Sequence, residues 1–199
     1  MLKELLKNRE FCRIINNFLE NEKVVDVILA GSALRGKEEP GDIDIFVIYQ
    51  YVKNTIELDY ELRKNLEKVD KRVKISGKKY EDLFMPEFIA REAILQGYSF
   101  KAKKMLSEGL GYKNFVLFKY SLGKMSKSRR MQFYYALYGR GNEEGLLKKN
   151  RCSKFSDSVI LCLIENSEIM KDFLERWKIE YLSFPVMIPE RIAKYKLEK

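Results

Sequence analysis

Two aspartates and a Gly-Ser pair near the start of this 199-residue chain are the residues best suited to chemistry. Along a strand, side chains two residues apart point to the same face, so Asp42 and Asp44 are expected to lie together. Ile43 and Ile45 are then expected to point into the core on the opposite face. Mg²⁺ binds in proteins through one or two carboxylates together with substrate phosphates. The spacing therefore predicts a magnesium site that receives a polyphosphate.

A Gly-rich turn precedes the aspartates at a characteristic distance. The run GSALRG at positions 31–36, a spacer of five residues and the run DID at positions 42–44 resemble the signature of the nucleotidyltransferase superfamily typified by DNA polymerase β. Leu34 and Gly41 depart from the small members of that family, which usually have alanine and serine there. The resemblance covers the N-terminal half of the chain and is carried by both motifs at this spacing.

The resemblance assigns roles to particular residues. It implies that Gly31 and Ser32 contact the triphosphate and that Asp42 and Asp44 bind divalent metal. Arg35 and Lys37 are expected to neutralise negative charge on the nucleotide. The implied reaction transfers a nucleoside monophosphate from a nucleoside triphosphate, with ATP as the default donor, to a hydroxyl acceptor.

The family places a third carboxylate on a later strand, where it completes a site for two Mg²⁺ ions. The strand predicted over Val69–Ser76 puts Asp70, Arg72 and Lys74 on one face, and Asp70 is the candidate for this ligand. Arg72 or Lys74 could instead occupy the equivalent position, which would leave the second ion without a ligand. Glu81 and Asp82, just after the strand, are the alternative carboxylates.

Composition excludes several functional classes. The chain has no histidine, so histidine-based catalysis is excluded, and Cys12, Cys152 and Cys162 lack the close spacing of a zinc site. No apolar run reaches the roughly 18 residues of a membrane span, and the charged N-terminus does not resemble a signal peptide. We therefore expect no membrane association and a cytoplasmic location. The lysine- and glutamate-rich composition resembles that of thermophile proteins.

The periodicity of the first half predicts an α+β fold, a small mixed sheet flanked by helices that forms a nucleotidyltransferase palm over residues 1–100. The predicted strands are Val24–Ala30, Ile43–Tyr49 and Val69–Ser76, and the predicted helices are Leu2–Leu19, Asn54–Leu66 and Pro86–Gln96.

A smaller basic α/β domain is expected over residues 101–199, with its boundary in the Lys101–Tyr112 region. The predicted strands there are Asn114–Tyr120, Ser158–Ile164 and Ile179–Phe184, and the predicted helices are Ser126–Tyr138, Ser167–Trp177 and Arg191–Lys199. The helix Ser167–Trp177 and the strands on either side of it are expected to form a β-α-β unit.

Positive charge is concentrated in residues 119–154, which we call the basic segment. It has ten lysines and arginines against Glu143 and Glu144, and so carries most of the net charge of +9. Tyrosines and a phenylalanine are interleaved with these cations, a pattern typical of nucleic-acid binding. The residues predicted to contact RNA or DNA are Lys124, Lys127, Arg129, Arg130 and Arg140. The alternative is that Met131, Tyr134, Tyr135 and Tyr138 form the core-facing stripe of a helix.

Three functions remain open from the sequence. The first is an active nucleotidyltransferase that modifies RNA, a protein or a small hydroxyl compound. The second is a catalytically degenerate palm that binds nucleic acid through the basic segment. The third is a protein whose basic segment binds an acidic protein partner.

Overall fold

The computed structural model describes residues 2–36, 41–85 and 90–196. It divides the chain into two compact units, Met1–Leu110 (unit 1) and Gly111–Lys199 (unit 2). Across those described residues, none of the helices combines the length and apolarity needed to cross a membrane.

Unit 1 combines short helices with one sheet. Its described helices are α1 (Leu2–Lys7), α2 (Arg9–Leu19), α3 (Ile56–Leu66), α4 (Arg91–Leu95) and α5 (Leu106–Gly109). Its described strands are β1 (Val24–Ala30), β2 (Ile43–Tyr49), β3 (Val73–Lys79), β4 (Tyr98–Ser99) and β5 (Lys104–Met105). Short 3₁₀ helices follow β1 at Gly31–Leu34 and β3 at Tyr80–Phe84.

The sheet of unit 1 is mixed and has the order β3-β2-β1-β4-β5. β1 and β2 are antiparallel, whereas β2 and β3 are parallel because α3 carries the chain back between them. The sheet has two strands more than the sequence predicted, since β4 and β5 are each two residues long and too short to give a periodic signal.

The two faces of this sheet differ in what covers them. One face carries the main core, in which alternate residues of β1, β2 and β3 pack with the apolar stripes of α1, α2 and α3. The other face has a smaller cluster around Ile28, Ile48 and Ile94, to which α4 contributes. The apolar side chains of the described residues therefore cover the second face only in part, and polar groups of β2 are half-buried there.

Unit 2 has its own sheet and core. Its described helices are α6 (Lys127–Tyr138), α7 (Leu146–Lys149), α8 (Ser167–Arg176) and α9 (Glu190–Lys196). Its described strands are β6 (Tyr112–Ser121), β7 (Gly139–Arg140), β8 (Glu143–Glu144), β9 (Cys152–Ser156), β10 (Val159–Leu163) and β11 (Glu180–Pro189).

The predicted β-α-β unit is present in unit 2. The sheet order is β11-β6-β10-β9, and both β10 and β11 are antiparallel to the β6 strand between them. β10 and β11 therefore run parallel to each other, and α8 connects them. The cluster around Phe133, Leu137 and Met170 packs α6 and α8 with this sheet. The α+β fold class predicted from the sequence is confirmed.

Several predicted boundaries were wrong. β3 begins at Val73 rather than Val69, because Val69 and Asp70 donate their backbone N–H groups to Leu66 O and so still belong to the turn that ends α3. The predicted first helix is divided at Asn8, whose side chain caps α2 by accepting from Phe11 N at 3.1 Å. The start of the predicted helix Pro86–Gln96 and the last residues of Arg191–Lys199 lie outside the described residues.

A disulfide joins Cys152 to Cys162, a pairing that the sequence pattern did not indicate. The two residues are direct partners in the β9 and β10 register, and both are buried. An odd number of cysteines without a known strand register gives no signal for this pairing, so only the tertiary structure identifies it.

Reducing this disulfide is expected to lower the free energy of unfolding by about 3 kcal/mol, because the bond closes a loop of roughly ten residues in the unfolded chain. Urea unfolding with and without a non-thiol reductant measures the change. Cys12 is a free thiol, so Cys12→Ser should leave the reductant effect unchanged. Equal stability of the oxidised and reduced chains would contradict the prediction.

Candidate functional site

Asp42 and Asp44 lie where the strand pattern placed them. Ile43 and Ile45 are buried in the main core, so the aspartates flanking Ile43 point to the partly covered face. Asp44 is half-buried within β2, whereas Asp42 precedes the strand and is exposed. The predicted division of β2 into a core side and a carboxylate side is confirmed.

The Gly-Ser turn lies directly against Asp44. The antiparallel register pairs Ala30, the last residue of β1, with Asp44, and the chain then enters the 3₁₀ helix at Gly31. Gly31 has a φ of +74°, a conformation that favours glycine, and a Cβ built at this residue would overlap Oδ2 of Asp44. The residue at position 31 must therefore lack a side chain for the carboxylate to keep its place.

The remaining residues of the signature continue around the same turn. Ser32 is half-buried, and its carbonyl oxygen accepts from Arg35 N at 3.1 Å, which closes the turn. Arg35 is exposed. Lys37, the other cation assigned to the nucleotide, lies outside the described residues.

The strand position beside Asp44 on β3 is occupied by Lys74. Asp44 and Lys74 are partners in the parallel register of β2 and β3, and Nζ of Lys74 lies 2.8 Å from Oδ2 of Asp42. The hydrogen bond and charge of Asp42, with a smaller contribution from Asp44, raise the pKa of the Lys74 ammonium. Lys74 is therefore cationic at neutral pH and cannot serve as a metal ligand.

The structure does not place Asp70 with the other two aspartates. Asp70 lies in the turn before β3, where its Oδ2 is 2.6 Å from Nη2 of Arg72. Hydrogen bonding to Arg72 is the main cause that lowers the pKa of Asp70. Asp70 thus stabilises the turn. Its expected place on the strand was wrong because β3 starts at Val73, three residues after Asp70.

Glu81 and Asp82, the alternative carboxylates for the third ligand, follow β3 instead of lying within it. Both lie in the 3₁₀ helix Tyr80–Phe84, where Asp82 accepts from Lys79 N at 3.1 Å and Glu81 is exposed. In the described part of the chain, no group of three metal-ligating side chains comes together. Asp42 and Asp44 suit one Mg²⁺ that also binds substrate phosphates, whereas the described residues do not provide a third carboxylate for a second ion.

A half-buried hydrogen-bond network at the other end of β2 was missed by sequence reasoning. Asp59 of α3 accepts from the Tyr49 hydroxyl at 2.8 Å and from Gly77 N at 3.0 Å, so one carboxylate joins β2, β3 and α3. Burial, with the hydrogen bond to Asp59, raises the pKa of Tyr49. The glycine in β3 is a sequence signal for such a close approach, since a Cβ at Gly77 would overlap the Asp59 carboxylate.

The mixed sheet, the helices that flank it and the turn against Asp44 are features of a nucleotidyltransferase fold. Residues 11–96 match the family model described as the nucleotidyltransferase domain, and this match supports the assignment of the N-terminal half of the chain to the nucleotidyltransferase superfamily, as the signature predicted. No curated protein matches the chain. The domain supports transfer of a nucleoside monophosphate from a nucleotide substrate, and domains of this kind generally use a divalent metal.

The basic segment contributes cations with different surroundings. Lys124 pairs with Glu180, and the Arg129 guanidinium donates to Trp177 O at 3.4 Å. Arg130 is half-buried and donates to Leu122 O at 3.1 Å, so it supports the loop before α6. Arg140 and Lys127 are exposed. These contacts distinguish Arg130, which has a structural role, from the exposed cations.

Helix α6 presents tyrosines to solvent. Its buried residues are Phe133 and Leu137, whereas Tyr135 and Tyr138 are 41% and 38% exposed. The alternative of a core-facing stripe is therefore wrong for these two tyrosines and for Met131, which is also exposed. The Arg140 guanidinium lies 4.9 Å from the centre of the Tyr135 ring, and Nζ of Lys154 lies 5.7 Å from the centre of the Tyr138 ring. We call these four residues the cation-tyrosine patch.

Proposed function

We propose that the protein is a Mg²⁺-dependent nucleotidyltransferase that moves a nucleoside monophosphate, with AMP from ATP as the default, to a hydroxyl acceptor. The observation that carries the proposal is the contact between Gly31 and Asp44. It joins the two halves of the signature, the turn that would hold the phosphates and the carboxylate that would hold the metal.

In this reaction an acceptor hydroxyl oxygen forms a bond to the α-phosphorus, and the bond from the α-phosphorus to the oxygen that bridges to the β-phosphate breaks. Pyrophosphate leaves, and the hydroxyl proton passes to solvent. A bound Mg²⁺ would polarise the phosphoryl oxygens and neutralise their developing charge.

The residues of the chain orient the reactants. Asp42 and Asp44 would hold the ion at the end of β2, and the absence of a side chain at Gly31 leaves room for the Asp44 carboxylate beside the turn. The backbone around Gly31 and Ser32 would contact the β- and γ-phosphates. Arg35, which is exposed beside this turn, would offset negative charge on the nucleotide, as would Lys37.

The test follows label from the α-phosphate of each nucleoside triphosphate. The purified protein and its Asp42→Asn, Asp44→Asn double variant are incubated with Mg²⁺ and either total RNA or total protein. We expect label to reach an acceptor only with the unchanged protein. Absence of transfer to RNA, protein or added small hydroxyl compounds would refute the proposed activity.

We also propose that unit 2 binds single-stranded RNA through the cation-tyrosine patch, and that this RNA is the acceptor. Exposed tyrosine rings can stack on bases, and the exposed cations beside them can contact phosphates. The exposure of Tyr135 and Tyr138 supports this function, because base stacking requires ring faces that are accessible at the surface.

Arg140→Glu is expected to weaken binding of a single-stranded RNA about tenfold or more. It should also reduce the slope of log affinity against log salt concentration by the amount expected for about one phosphate contact. Fluorescence anisotropy at several KCl concentrations measures both quantities. Tyr135→Ala should weaken binding by roughly 1 to 3 kcal/mol with the salt dependence unchanged.

Lys64→Glu makes a comparable charge change on α3 in unit 1 and is the control for this experiment. It should leave RNA affinity close to that of the unchanged protein. Equal losses for Lys64→Glu and Arg140→Glu would show that only net charge matters and would contradict a defined RNA surface.

A further inference from the structure

Lys74 differs in kind from the carboxylate that the site was expected to contain. It is the direct partner of Asp44 in the β2 and β3 register and so points to the same face of the sheet. Its ammonium lies 2.8 Å from Asp42. The cation thus pairs with one aspartate of the candidate metal site and occupies the strand position beside the other.

We propose that Lys74 occupies the place of a third carboxylate and restricts the site to a single divalent cation, which enters with the nucleotide. This inference rests on the proposed function. It goes beyond that function because it assigns the number of ions and the residue that determines it.

The charges at the site support this assignment. Asp42 and Asp44 contribute two negative charges and Lys74 contributes one positive charge, so these three side chains leave a net charge of −1 to attract metal. One divalent ion that also binds the nucleotide phosphates can be accommodated by this set. A second ion next to Asp44 on the β3 side would lie close to the ammonium, with repulsion in place of a ligand.

The lysine is also able to move when an ion binds. The side chain of Lys74 is 63% exposed and that of Asp42 is 50% exposed, so their ion pair can open without disrupting the core. Lys74 therefore competes with the first ion for Asp42 and opposes the second. A neutral side chain at position 74 should remove the competition without adding a ligand.

The number of bound ions tests the proposal directly. Mn²⁺ binding is followed by electron paramagnetic resonance with a saturating non-hydrolysable ATP analogue, after correction for ions held by free nucleotide. We expect one ion per chain for the unchanged protein and two for Lys74→Glu. Without nucleotide, Lys74→Met should bind one Mn²⁺ about tenfold more tightly than the unchanged protein.

Lys71→Glu is the matched control, because it makes the same charge change at an exposed residue of the turn before β3. It should retain one ion per chain. Two ions on the unchanged protein, or one ion on Lys74→Glu, would overturn the role of Lys74 while leaving the proposed function intact. Failure of the unchanged protein to retain nucleotide or ion would overturn both.

Discussion

Asp44→Asn is expected to lower the rate of nucleotidyl transfer by at least about a thousandfold, a loss near 4 kcal/mol of transition-state stabilisation. Asp44 is half-buried in β2 and lies against Gly31, so its carboxylate is directly beside the turn that would hold the phosphates. Asparagine has nearly the same shape and lacks the charge, and the sheet should therefore fold normally. Initial rates of pyrophosphate release, with the acceptor identified by labelling, measure the effect.

Asp70→Asn is the matched control, because it removes a carboxylate that the sequence, but not the structure, placed in the site. Its partner Arg72 loses a hydrogen-bonded ion pair, so we expect stability to fall by about 1 kcal/mol. The transfer rate at saturating nucleotide should stay within about threefold of the unchanged protein, a change too small to reflect a lost metal ligand. A thousandfold loss in Asp70→Asn would show that Asp70 is a metal ligand after all.

Gly31→Ala is expected to lower kcat/KM about a hundredfold, because the added methyl group must displace the Asp44 carboxylate or the turn that carries the phosphates. The alanine must also adopt a φ of +74°, which costs roughly 1 to 2 kcal/mol of stability. Steady-state kinetics and urea unfolding of the same preparation separate the two effects.

Two other glycines isolate the causes of this loss. Gly111 has a φ of +78° with open space around its Cβ position, so Gly111→Ala should lose stability and keep activity. Gly41 lies in the loop between β1 and β2, as the site does, and a Cβ there meets no atom of the described residues within 4 Å, so Gly41→Ala should change neither stability nor activity. If Gly31→Ala retained full activity, the contact with Asp44 would not be needed for catalysis.

The strands that position the site were predictable because each is continuous, apolar and bounded by turn residues. Both β1 and β2 have the predicted ends, Val24–Ala30 and Ile43–Tyr49. The predicted helix beginning at Ser126 was equally clear, since its serine cap and glycine stop are both present in α6. Local sequence determines such elements when caps and periodicity agree.

The exposed face of α6 was harder to predict. Tyrosines at helical spacing suit either a core or a surface, and the choice depends on which stripe meets the sheet. In the structure Phe133 and Leu137 meet it, and Tyr135 and Tyr138 stay at the surface. The Cys152–Cys162 pairing was hard to predict for the same reason, because strand register brings together residues that are separate in the sequence.

The sequence by itself determined the superfamily, the two strands of the site and the common face of Asp42 and Asp44, because these depend on short motifs and on the period of a strand. Only the tertiary structure decided which side chains lie beside Asp42 and Asp44. The start of β3 and its register against β2 depend on how α3 ends and packs, and that packing sets Asp70 in a turn with Arg72 and places Lys74 next to Asp44. A shift of a few residues at one strand end thus replaces an expected carboxylate by a cation, and local periodicity contains no information about that shift.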